Sequence, residues 1–289
     1  RLSGHFESGK GIIKITNTRL VDDWTDLFIK SYTMSSEKPS DYNDFMNKVK
    51  LGIDITASPL SLKSVFYYSS IFKNSPIVLD INRLNLAGSL NNFIVNYADI
   101  LDKKSGIKAD ISARCADIFD FTKTEIGFES RGIEFSTNGL KTMLTELAPE
   151  LKIDFDSFPQ NLQATILGNI NGKLDSLNTD LLLTSNIGNI KLKSAINDLI
   201  SDPAGFSYDG EAAASGLDLG QVGLGEQFGK SSFIIKSRGR THDGEADIDV
   251  EQLRINRLTF NGYSYGKIDV NGYYRDNTFT GNIRSNDPN

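Results

Sequence analysis

The chain has 289 residues, 39% of them hydrophobic, and a net charge of -6, enough material for one large domain or two ordinary ones. Its 31 lysines and arginines are thinly spread, which excludes the concentrated basic surface that a nucleic-acid binder uses to displace counterions. The single cysteine, Cys115, excludes an intrachain disulfide and a four-cysteine zinc site, and no run approaches the roughly 20 apolar residues of a membrane-spanning helix.

Four stretches before residue 150 have helical spacing. Trp24, Leu27, Phe28 and Ser31 follow Asp22, which predicts a first short helix. Tyr42, Phe45, Met46 and Val49 follow the i, i+3, i+4, i+7 rule, with Ser40 or Asp41 as cap. Ser58-Pro59 predicts a helix start running through Leu62, Val65 and Phe66, since proline is favoured at the first helical position. The clearest stripe is Leu140, Met143, Leu144 and Leu147, with Asn138 as cap and Pro149 as stop.

Elsewhere the dominant signal is period-two alternation, which puts one face of a strand in a dry place and the other in water. Ile77, Leu79 and Ile81 alternate with Val78, Asp80 and Asn82, and Ile107, Ala109, Ile111 and Ala113 with Lys108, Asp110, Ser112 and Arg114. Beyond Leu167, turn signals recur about every 8–12 residues, as in a sandwich, barrel or β-solenoid. Asn171-Gly172, Asp243-Gly244, Asn261-Gly262 and Asn271-Gly272 suit tight hairpin turns, although a glycine also marks a bulge inside a strand. Gly168 to Leu174 resembles Gly266 to Gly272, an irregular internal repetition without a fixed period. The expected organisation is a mixed β segment with short helices over 1–150 and a nearly all-β, repeat-like segment over 151–289, continuous with it.

No catalytic constellation emerges, and the expectation is a protein that is not an enzyme, with no cofactor and no metal. Of the two histidines, His5 lies near the start and His242 in the polar turn of Arg238 to Gly244, with no nucleophile nearby. Carboxylates such as Asp247, Asp249 and Glu251 alternate with apolar residues, which places them on the wet face of a strand. Asp243-Gly244-Glu245 is too sparse for a calcium loop. The glycines from Gly216 to Gly229 lack the Gly-Lys-Ser/Thr ending of a phosphate cradle and read as a turn region.

The stretch from Leu253 to Asn289, with Phe260-Asn261-Gly262-Tyr263, Asn271-Gly272-Tyr273, Phe279-Thr280-Gly281 and Asp287-Pro288-Asn289 in order, resembles a recurring unit of the TamB/AsmA-like family, in its Bacteroidetes-type members. Leu217 to Phe233 and Gly168 to Leu192 fit the same pattern. The start at Arg1 and the stop at Asn289 predict a piece of a longer chain. The resemblance implies a parent anchored in the inner membrane of a diderm bacterium, with a body crossing the periplasm as an incomplete, taco-like β-barrel with a greasy interior. It implies a role in outer-membrane biogenesis and in phospholipid transport between the two membranes, with phospholipid acyl chains as partners and an outer-membrane barrel protein as a further one.

The expected fold is therefore mainly β, an extended open sheet with a few short helices in the N-terminal half. The expected lipid-binding groove is lined by Leu181, Leu183, Ile190, Leu192, Phe233, Ile235, Ile248, Val250, Leu258, Phe260, Ile268, Val270, Phe279 and Ile283. Two parity breaks, between Val250 and Leu253 and between Ile255 and Leu258, predict a turn or bulge. The rival expectation is an assembly scaffold whose exposed strand edges pair with outer-membrane protein precursors.

Overall fold

The computed structural model describes residues 2–9, 11–65, 76–147, 153–202, 204–242 and 245–287. Among these residues the chain is mainly β: seventeen antiparallel strands in open meanders, not closed into a barrel, with a few short helices. It divides into two compact units, Arg1–Ile153 and Asp154–Asn289.

The first unit carries β1 (Leu2–Gly9), β2 (Ile12–Val21), β3 (Asp26–Ser35), β4 (Lys50–Ser61), β5 (Val78–Gly88), β6 (Phe93–Asp102), β7 (Ile107–Ala116) and β8 (Glu125–Ser136), with helices α1 (Phe45–Lys48), α2 (Leu62–Val65) and α3 (Thr137–Leu147). Each strand pairs antiparallel with the next from β1 to β8. The alternation of the sequence dictates this: Ile77 and Ile81 are buried while Val78 between them is 39% exposed. Leu27, Ile55 and Ile81 form a buried cluster, flanked by Ile29, Leu60, Leu84 and Ile100.

The second unit carries β9 (Gln163–Lys173), β10 (Ser176–Ser185), β11 (Gly188–Asn197), β12 (Ser207–Asp218), β13 (Lys230–His242), β14 (Glu245–Phe260), β15 (Tyr263–Tyr265), β16 (Ile268–Arg275) and β17 (Thr278–Ser285). Strands β9 to β14, β16 and β17 again pair in sequence order, while short β15 folds back on the end of β14. Among the described residues of each unit, the closely paired strands are neighbours in the ladder.

Several local expectations are corrected. The stretch predicted as a helix after Asp22 is β3, because Leu27 is buried while the next residue, Phe28, is 40% exposed: a period of two. Asp22 instead closes a turn, its Oδ1 accepting from the Trp24 and Thr25 amides at 2.8 Å each. Ser58-Pro59 opens no helix; both lie in β4, opposite Ile81 and Asp80 of β5, and follow Ala57, whose φ is +45°. Helicity is confined to the single turn of α2, and Phe66 lies outside the described residues. Residues 39–48 form a 3-10 turn followed by α1, with Asp41 accepting from the Lys38 amide at 2.9 Å. The predicted stripe over 140–147 is α3, but its cap is Ser136, whose Oγ accepts from the Gly139 amide at 3.1 Å, and Pro149 lies outside the described residues.

Of the glycine turn signals, Asn261-Gly262 joins β14 to β15 with φ of +49° and +77°, the paired positive values of a type I′ turn. Asn171-Gly172 and Asn271-Gly272 lie inside β9 and β16 instead. Asp243-Gly244 lies outside the described residues.

Candidate functional site

The register of the second unit lines its apolar residues into rows that run straight across the sheet. Directly opposed partners give one row through Ile166, Leu183, Ile190, Ala214, Phe233, Ile255 and Ile268. Two residues along each strand, a second row runs through Leu181, Leu192, Ala212, Ile235, Leu253, Val270 and Ile283. A third contains Leu177, Ile196, Tyr208, Ile248, Tyr274 and Phe279, and Val250 sits between the second and third. Side chains opposed in an antiparallel ladder share a face, so these rows make one apolar surface across eight strands, about 35 Å at 4.8 Å per strand.

The rows survive the two parity breaks because β14 absorbs both. Its partner β13 skips Glu251 between Lys236 and Ser237, and skips Asn256 between Ser232 and Phe233. A bulge inserts one residue on one strand only, so Ile248 and Val250 share a face with Leu253 and Ile255, and Leu258 rejoins it. Leu258 packs with Phe233 and Ile190 against the buried Ala214, Leu217 and Leu219. The Phe260 ring packs, tilted, 5.0 Å from that of Phe228 of the same cluster. The segment Leu219–Gly229, which includes the turn Gly220–Leu224, thus covers one end of the apolar face.

The structure therefore places all fourteen sequence-predicted residues on one face. Twelve are half-buried, whereas Phe279 and Ile283 on β17 are 42% and 67% exposed. Sequence reasoning missed Ile166, Leu177, Ile196, Tyr208, Ala212, Ala214, Leu253, Ile255 and Tyr274. Alanines carry little hydrophobic signal, and the run Leu181-Leu182-Leu183 hides its own parity.

The opposite face is charged and wet. Asp180 pairs with Lys193 at 3.0 Å, Lys236 with Glu251 at 2.7 Å, Arg238 with Asp249 at 3.2 Å and Arg254 with Asp269 at 3.2 Å, each across adjacent strands. Such exposed pairs add little stability. A one-residue slip would carry these charges to the apolar face, however, so they help fix the register.

The first unit repeats the design. Phe6, Ile15, Tyr32, Ile53, Leu86, Val95, Ala113 and Phe128 are opposed in sequence order across all eight strands. Cys115, opposed to Phe93 and Ile126, shares this face, and burial pushes its thiol pKa up. On the other face the Arg131 guanidinium, helped by Arg83, holds the Asp110 carboxyl below its ordinary range.

His5 and His242 are exposed and far apart in sequence, and His242 sits 3.9 Å from Glu245. Among the described residues no group of three or more His, Cys, Asp or Glu is placed to hold a metal ion, and no helix is long and apolar enough to cross a membrane. Comparison with known proteins finds no matching family model, no matching curated protein and no matching solved structure.

Proposed function

We propose that this chain handles lipid, laying acyl chains along the apolar face of its sheets as part of phospholipid transport between the inner and outer membranes of a diderm envelope. The observation that carries this reading is the unbroken apolar row from Ile166 to Ile268 and its neighbour from Leu181 to Ile283, half-exposed over most of their length and covered at one end by Leu219–Gly229. An apolar surface of this width is rare on a protein that meets only water. Each methylene moved out of water contributes about 0.8 kcal/mol, so a chain of about 16 carbons recovers roughly 10 kcal/mol before ordering costs. The wall is largely aliphatic and offers no fixed polar anchor, which favours sliding over capture.

The periplasmic setting, the membrane-anchored parent and membership of the TamB/AsmA-like family rest on the sequence resemblance alone. The test is native mass spectrometry after gentle purification from a lipid-containing host. Bound phospholipid is expected on the wild type and its loss on the Ala212→Asp/Ile235→Asp double variant, which interrupts the apolar rows at the middle of the sheet, with the fold checked by circular dichroism. Wild-type protein that carries no lipid defeats the proposal.

A second reading has its own observation. Every residue of β17 is exposed and its outer edge is unpaired among the described residues, which suits strand addition by an outer-membrane protein precursor. Asn282→Pro should abolish capture of an extended peptide if that edge is used, and unchanged capture would discard it.

A further inference from the structure

At one end of the first unit, the loops β3–β4, β5–β6 and β7–β8 are tied together around Asn91. Its amide donates to the Met46 carbonyl at 2.9 Å and its Nδ2 to Asn47 Oδ1 at 2.9 Å. Its own carbonyl accepts from the Ile118 amide at 3.2 Å and its Oδ1 from the Phe119 amide at 3.2 Å. The loop Asp117–Thr124 is self-contained as well. The Asp117 amide donates to Asn92 Oδ1 and Thr122 to Asp120 Oδ1, while Asp120, Lys123 and Thr124 donate to carbonyls within the loop. Seven of its eight amides thus have an acceptor in the protein.

From this satisfied frame two rings project. Phe119 is 63% exposed and Phe121 66% exposed, beside Met46 at 47% and Leu90 at 37%. Two nearby cations are paired, Lys123 with Asp120 at 2.8 Å and Lys48 with Asp44 at 3.7 Å, and the Asp117 carboxylate accepts from Asn91 Nδ2 at 3.3 Å. A loop collapsed by the hydrophobic effect would bury these rings, and one built for a protein strand would leave amides free to be recognised. Apolar side chains on a backbone whose hydrogen bonds are closed internally are what a bilayer interface accepts, since lipid offers no partners to an open amide.

We propose that this tip, led by Phe119 and Phe121, docks on a zwitterionic phospholipid bilayer and sets the end of the apolar face from which lipid is exchanged. The purpose assigned to the docking rests on the lipid-handling reading; the docking itself is measured separately. The assay is co-sedimentation of the whole chain with phosphatidylcholine vesicles at low and high salt, because apolar rings entering a lipid of no net charge predict salt-insensitive binding. The Phe119→Ser/Phe121→Ser double variant is expected to bind about tenfold or more weakly. As a positional check, Phe121→Trp in a Trp24→Phe background should show a blue-shifted emission quenched by lipids brominated on the acyl chain. Ile235→Asp, on the other unit's apolar face, should keep full vesicle binding while carrying about fivefold less lipid. Absent wild-type binding, equal binding by the double variant, or tryptophan emission that the brominated lipids leave unquenched would each overturn the proposal.

Discussion

A charge placed on the apolar rows of the second unit should weaken lipid carriage by an amount that depends on which strand bears it. An extended chain of about 16 carbons covers about four strands at 4.8 Å spacing, so on eight strands it has about five starting positions. Ile235 lies on the fifth strand, β13, between Ala212 and Leu253. Aspartate there must stay hydrated and leaves only β9–β12 intact. About one position in five remains, a roughly fivefold loss of occupancy, or about 1 kcal/mol. Ile283→Asp, on the outermost strand, should cost about a fifth of the positions and be barely measurable. Ala212→Asp combined with Ile235→Asp leaves no four-strand stretch. A chain then gives up about four methylenes, or about 3 kcal/mol, a loss of a hundredfold or more. Native mass spectrometry after reconstitution with a single phospholipid reads the series, and Ile234→Asp, on the opposite face of β13 and 36% exposed, controls for folding. Equal loss for Ile283→Asp and Ile235→Asp, or loss for Ile234→Asp, would refute a continuous sliding strip.

Three further outcomes are expected. Gly168 has φ of +122°, and an added Cβ would stand 2.0 Å from the Asp180 carbonyl oxygen, so Gly168→Ala should lower stability by about 2–4 kcal/mol in urea melts. Gly132→Ala, where a Cβ meets nothing within 4 Å, should be near neutral. The Asp120 pKa is lowered to about 2, chiefly by its hydrogen bond with Lys123. Its contribution to loop stability is therefore complete above its ordinary value of 3.8 and is lost as pH falls through about 2. A carboxyl NMR titration should find that midpoint, and Lys123→Met should move it upward. Because burial raises the Cys115 thiol, its reaction with a disulfide reagent at neutral pH should be slow when folded, slower still with lipid bound, and ordinary in urea. Fast labelling of the folded protein would place Cys115 off the apolar face.

Much of the architecture was legible because a two-residue period is hard to disguise. Ile77 to Asn82, Ile107 to Arg114 and Ile268 to Val270 lie in or beside strands with the expected alternation. Both parity breaks in β14 corresponded to real bulges. The errors came where short apolar spacings fit two periods. Trp24, Leu27, Phe28 and Ser31 suit a helix turn, but pairing with β2 on one side and β4 on the other decides for a strand, as tertiary context does with weak local signals. The glycines of Asn171-Gly172 and Asn271-Gly272 were equally ambiguous. Added Cβ atoms there would strike the Ser176 and Thr280 carbonyl oxygens of the adjoining strands at 2.2 and 2.3 Å, so close backbone approach, not a turn, requires them. The first unit's apolar face stayed hidden because its row is assembled one residue per strand, and of its members only Ala113 fell in an alternation read from the sequence.

The meander pairing within each unit has a consequence for how such a chain changes over time. Since a strand depends only on the strands before and after it, a hairpin can be duplicated or deleted without rewiring the remainder, much as in repeat proteins. Each such event would lengthen or shorten the sheet by about 10 Å, two strand spacings, while keeping the apolar rows aligned. Reach is then adjusted in whole-hairpin steps, and assembly proceeds from contacts near in sequence, which closes short loops first and keeps folding fast for an all-β chain.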